Sequence, residues 1–108
     1  MSFQQCVLWN NEGSSDKVWG VTEYHGQPVT FWGRRVGEHL TFKIVSPREV
    51  DKMIATKKRK RGYVEISFDK LEEMEEGFKE RFEHMLIMCI VSERFHGIRN
   101  HDDDRVKV

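Results

Sequence analysis

No apolar run in this 108-residue sequence approaches the roughly 18 residues that a membrane span requires, so no transmembrane segment and no membrane partner are expected. Met1 to Gln5 lacks the basic start and long apolar core of a secretory signal, which points to an intracellular setting, cytoplasmic, or nuclear in a eukaryote. Cysteine is scarce. Cys6 and Cys89 lie far apart and form no Cys-x-x-Cys pair, so they are expected as free thiols behaving as small apolar residues, not as a disulfide or zinc framework. Catalytic signatures are missing as well. There is no Gly-x-Ser-x-Gly elbow and no phosphate-loop glycine pattern, and His25, His39, His84, His96 and His101 are scattered. The expectation is a protein without catalysis and without a cofactor. His96, His101 and Asp102 to Asp104 match no specific metal spacing, so no metal site is assigned. Internal repeats are absent, and one core is the limit for a chain of this length.

Net charge is also absent, yet its balance conceals an asymmetry. Eleven basic residues face six acidic ones through Val64, and seven face twelve after it. The first part of the chain is therefore the one that a phosphate-bearing partner would meet.

The first part reads as short strands. Cys6 to Trp9 is followed by a turn-forming cluster, Asn10 to Asp16, and a second strand spans Lys17 to Tyr24. Pro28 opens a third strand over Val29 to Trp32, at the position where a strand tolerates proline. Alternation puts Val29 and Phe31 on one face, with Thr30 and Trp32 on the other. Gly33 and Gly37 bracket a tight connection, after which Leu40, Phe42 and Ile44 alternate in a fourth strand. An antiparallel meander is the economical topology. Ser46-Pro47-Arg48-Glu49 then predicts a helix, with Ser46 as N-cap, Pro47 at the first helical position and Glu49 closing a capping box. Its apolar stripe, Val50, Met53 and Ile54, predicts an end near Lys57 or Lys58, because further winding would bury Arg61. Tyr63 to Phe68 resumes strand alternation with Val64, Ile66 and Phe68 inward.

A second, longer helix follows, with Asp69 as its cap and Glu72 in the box position. Leu71, Met74, Phe78 and Phe82 form its stripe, continued by Met85 and Cys89, while Glu72, Glu73, Glu76, Glu80 and Glu83 form an acidic outer face. Gly77 inside it costs about 1 kcal/mol relative to alanine. Met85 to Val91 is apolar all round, with Ile87 and Val91 opposite the stripe. Either the domain's own sheet and first helix cover that second face, or a second copy or larger protein does, through Ile87, Met88, Ile90 and Val91. Residues 96–108 carry no periodicity and are expected as a polar, flexible tail.

The residues with binding chemistry are Trp32, Arg34 and Arg35, together with the run Lys57, Lys58, Arg59, Lys60 and Arg61 that precedes Tyr63. An indole can stack on an exposed base or sugar, guanidinium groups fork onto phosphate oxygens, and each neutralised phosphate releases counterions. Plainer roles for the basic run are to complement the helix dipole, to pair with the acidic face of the second helix, or to act as a localisation signal.

These residues resemble the WGR domain, which is named for its Trp-Gly-Arg triplet and occurs in poly(ADP-ribose) polymerases and as a stand-alone or fused bacterial module. The likeness runs from about Lys17 to Ile66: Lys17-Val18-Trp19, then Phe31-Trp32-Gly33-Arg34, Val36-Gly37, Thr41-Phe42, a capped helix, and a basic approach to Gly62-Tyr63. It implies an α+β fold, a small antiparallel sheet flanked by helix; with the second helix counted as an extension over about 69–95, a single WGR-like domain is expected over residues 1–95. It also implies binding of double-stranded DNA or its ends, with Trp32 stacked at the DNA backbone and the residues before Gly62-Tyr63 lining phosphates. Arg35 lengthens the usual Trp-Gly-Arg-aliphatic-Gly spacing, which leaves the arginine role open between Arg34 and Arg35. The helix after Phe68 lies outside the likeness.

Overall fold

The computed structural model describes residues 5–37 and 39–107, with side chains as far as Ser92. Five strands form one antiparallel sheet in the order β4-β3-β2-β1-β5. They are β1 (Cys6–Asn10), β2 (Lys17–Tyr24), β3 (Gln27–Arg34), β4 (Thr41–Ile44) and β5 (Tyr63–Ile66). The first four make the expected meander. The chain then crosses one sheet face through α1 (Val50–Lys58) and returns as β5 beside β1. Two further helices, α2 (Phe68–Met74) and α3 (Phe78–Lys107), lie on the other face. No helix among the described residues is long and apolar enough to cross a membrane.

Strand alternation divides the core in two. Val7, Val18, Val29, Phe31 and Phe42 point to the α2 and α3 side and bury Leu71, Phe78, Phe82, Leu86 and Ile90. Cys6, Leu8, Trp19 and Val21 point to the other side and bury Val50 and Ile54 of α1. Thr30 and Trp32 share this second face, as the alternation of β3 predicts.

The helix boundaries differ from expectation for local reasons. Ser46 occupies the cap position with Pro47 after it, but its side chain makes no capping hydrogen bond. Pro47–Glu49 wind as a 3-10 turn, and the Glu49 amide donates to the Ser46 carbonyl at 3.0 Å, which takes up the donor that a capping box needs. Ser67, not Asp69, caps α2, its hydroxyl accepting the Lys70 amide at 3.0 Å. The expected long helix is broken. Gly77 adopts φ 90°, and the Glu72 carboxylate accepts the amides of Gly77 at 2.8 Å and Lys79 at 2.9 Å, capping α3. Those two bonds hold the Glu72 carboxyl below its usual range.

Three further expectations also change, two of burial and one of secondary structure. Val64 is exposed, because β5 is an edge strand whose outer half no helix covers. Ile90, placed above among the partner-facing residues, is buried at 1% exposure, one helical turn beyond Leu86 on the core stripe. The stretch from His96 is helical through Lys107 instead of lacking regular structure. No proline interrupts it, and elongating a formed helix needs only one hydrogen bond per residue fixed.

Candidate nucleic-acid interface

The sheet register assembles the site. On the α1 face Trp32 pairs with Trp19 on one side and Thr41 on the other. In the next row along the strands, Arg34 pairs with Lys17, Lys17 with Asn10, and Asn10 with Tyr63. Trp19 lies under α1 at 4% exposure, whereas Trp32 is 38% exposed and is the only aromatic among the described residues left open to solvent. Gly33 lets the chain leave this strand. Its φ is 148°, and a Cβ there would stand 2.9 Å from the Leu40 side chain and 3.2 Å from the His39 carbonyl.

The C-terminal end of α1 brings the basic run to the same place. The Lys57 ammonium sits 5.8 Å from the Trp19 ring centre and 5.9 Å from that of Tyr63, so both rings are roofed by a cation. Burial first, and then the neighbouring Lys60 and Lys17 ammoniums, push Lys57 below the usual lysine range. Among the described residues, no carboxylate pairs with Lys17, Arg34, Lys57 or Lys60. Beside Lys17 and Arg34 opens a cleft of about 460 Å³, lined by Ser14, Ser15, Asp16 and Val36 as well.

The remaining basic residues divide. Lys58 pairs with Glu65 at 3.5 Å and Arg61 with Glu12 at 3.8 Å, both on the exposed surface, while Arg59 is exposed. Pairing with the acidic face of the second helix does not occur, because α1 and α3 lie on opposite sides of the sheet. Arg35 turns away from Arg34. Its guanidinium donates two hydrogen bonds of 2.8 Å to the Asp16 carboxylate and lies 5.9 Å from the Trp9 ring centre, and the Trp9 indole N–H donates to the same carboxylate at 2.8 Å. The hydrogen bond from Arg35, with that from Trp9 and the nearby positive charge, holds the Asp16 carboxyl below its usual range.

The structure thus brings together Trp32, Arg34, Lys57 and Lys60, keeps Tyr63 half-buried beneath Lys57, and gives Arg35 to the protein's own packing. Lys17 joins the site by register alone, and Lys43, exposed on the same face opposite Thr30, flanks Trp32 on its other side. Lys17 stands in the sequence likeness only as the start of a strand and Lys43 not at all, so neither is given a binding role by the sequence. Of the residues expected to face a partner, Ile87, Met88 and Val91 are exposed on α3.

Fold and site define an α+β domain with helices on both faces of an antiparallel sheet and an exposed indole with cations in the neighbouring rows of the α1 face. No family model, curated protein or solved structure matches the chain.

Proposed function

We propose that this chain is a non-catalytic, WGR-like nucleic-acid-binding module that takes double-stranded DNA or a DNA end through phosphate contacts and one aromatic side chain. The observation that carries this reading is the convergence of Lys17, Arg34, Lys57 and Lys60 on the sheet face that carries exposed Trp32, from three separate places in the sequence. Holding the Lys57 ammonium half-buried and beside the Lys60 and Lys17 ammoniums is a cost to the free domain, since burial first and those charges second disfavour its charged form. A polyanion reverses that cost, while a neutral ligand does not. α1, the helix beside the site, is laid against the sheet and not presented as a groove-reading element, so recognition runs through backbone and shape without sequence preference.

Titration of a labelled duplex over a range of salt tests the reading. Log affinity is expected to fall linearly with log salt, by about 0.9 per phosphate contacted. Replacing Lys57 and Lys60 by glutamine is expected to flatten that slope by about one unit per lysine. Tight binding indifferent to salt and to both substitutions would remove the DNA reading.

A second reading is favoured by one specific observation, the exposure of Ile87, Met88 and Val91 within two turns of α3. These three form a continuous apolar surface on the side of the helix that does not meet the sheet. Self-association through it is compatible with DNA binding, because it lies on the opposite face from Trp32. Light scattering is expected to give a dimer for the wild-type chain and a monomer for Ile87→Glu, Val91→Glu. A monomer in both cases would leave that surface without a role in self-association.

A further inference from the structure

The α1 face is open only along a narrow strip, and the strip has an internal order. Thr30, Val21, Trp19, Leu8 and Cys6 on this face are buried, the last four packed with α1. Thr41 and Lys43 of β4, Trp32 and Arg34 of β3, and Lys17 at the start of β2 are exposed. The open area is therefore on the order of two to three strands wide, about 10 Å. It is walled on one side by α1, which with its side chains is about 10–12 Å across. Along β3 the order is cation, indole, cation: Lys43 stands opposite Thr30, Trp32 follows two residues on, and Arg34 with its partner Lys17 two residues beyond that. The two cation rows are about 13 Å apart. At its far end the strip meets the cleft where Ser14 and Ser15 accompany Lys17 and Arg34.

Resting on the nucleic-acid reading above, we infer that the DNA end this face takes carries an unpaired strand, with one unstacked base on Trp32 and its flanking phosphates on Lys43 and on the Arg34–Lys17 pair. The indole offers a flat surface and no wedge, and the face of a base is the largest flat surface that DNA has to set against it. Inside a duplex those faces are stacked on one another, and only groove edges are accessible. A terminal base pair presents a face, but it is a plate wider than the strip, and α1 stands in its way. A single strand fits the width, places a phosphate on each side of the base it stacks, and can enter from the side because β4 is the edge of the sheet.

Anisotropy titrations at one salt concentration test this with three probes: a blunt duplex, the same duplex with a short deoxyadenosine extension, and the duplex with an abasic extension of equal length. The extension is expected to tighten binding about tenfold, and the abasic extension to give little of that gain. Trp32→Ala is expected to abolish the difference between the extended and the blunt duplex. Trp32→Phe, a smaller ring on the same strand, retains part of it. Circular dichroism melts confirm that both variants are folded. Equal affinity for blunt and extended duplex, or an abasic extension as effective as the deoxyadenosine one, would overturn the inference while leaving duplex binding intact. Failure to bind any of the three probes would remove the inference and the DNA reading together.

Discussion

Replacing Phe82 by alanine is expected to lower the unfolding free energy by about 3–5 kcal/mol. Phe82 is 6% exposed and stands at the centre of an aromatic cluster drawn from four elements. Its ring centre lies 4.7 Å from Phe31 in an edge-on contact, 4.8 Å from Phe68, 5.5 Å from Phe42 and 6.2 Å from Phe78. Rings in these arrangements contribute about 0.5–1.5 kcal/mol beyond the area they bury, and removing one leaves a cavity that the sheet on one side and α3 on the other are too stiff to close. A small domain has about 5–15 kcal/mol in total, so this single change takes a large share of it. Urea unfolding is the measurement, with the midpoint falling and the slope unchanged. Glu83→Ala, an exposed site on the same helix, is the control and is expected to move stability by less than about 0.5 kcal/mol. A cost below about 1 kcal/mol for Phe82→Ala would mean that α3 is not part of the core.

That prediction bears on where the domain ends. The proposed likeness to WGR domains stops near Ile66, yet the core on one face of the sheet is completed by residues after it: Leu71, Phe78, Phe82, Leu86 and Ile90. A piece cut at Ile66 would expose Phe31 and Phe42 to water. The helical extension is therefore half of this domain's core, whatever else it does.

Local patterns in the sequence were enough to place Trp32 off the core face and to stop α1 at its basic run. In both cases one periodicity within a few residues decides the outcome. The antiparallel meander was legible for the same reason, since short alternating strands joined by turn formers leave few alternatives. What was not legible depends on residues distant in sequence. Lys17 belongs to the site because β2 pairs with β3 in a register that sets it opposite Arg34, and a shift of one residue would put it on the other face. Lys43 is brought in by the β3–β4 register in the same way. The break at Gly77 depends on Glu72 reaching across it to cap α3, a contact that helix periodicity carries no trace of. Val64 points outward because β5 sits at the sheet edge, which alternation alone does not reveal.

The two arginines that share one motif are expected to separate cleanly when each is replaced by alanine. Arg34→Ala is expected to weaken duplex binding about tenfold without moving the melting temperature, since among the described residues no carboxylate holds Arg34 and its removal unpairs nothing. Arg35→Ala is expected to do the reverse, costing about 2 kcal/mol of stability and leaving binding by the folded fraction nearly unchanged. Its guanidinium is 16% exposed and forks onto Asp16, whose own side chain is 39% exposed, so water partly rescues the carboxylate and keeps the loss below that of a fully buried pair. The pH dependence separates this from a simple packing defect. Because Arg35 holds the Asp16 carboxyl below its usual range, the pair's contribution is complete above the ordinary carboxylate pKa of about 3.9 and is lost as pH falls through the lowered value of the folded state. The stability gap between wild type and Arg35→Ala is therefore expected to be constant near neutrality and to close below about pH 4. A gap independent of pH would assign the loss to packing against Trp9 instead of to the ion pair. Loss of binding in Arg35→Ala with stability unchanged would exchange the roles of the two residues.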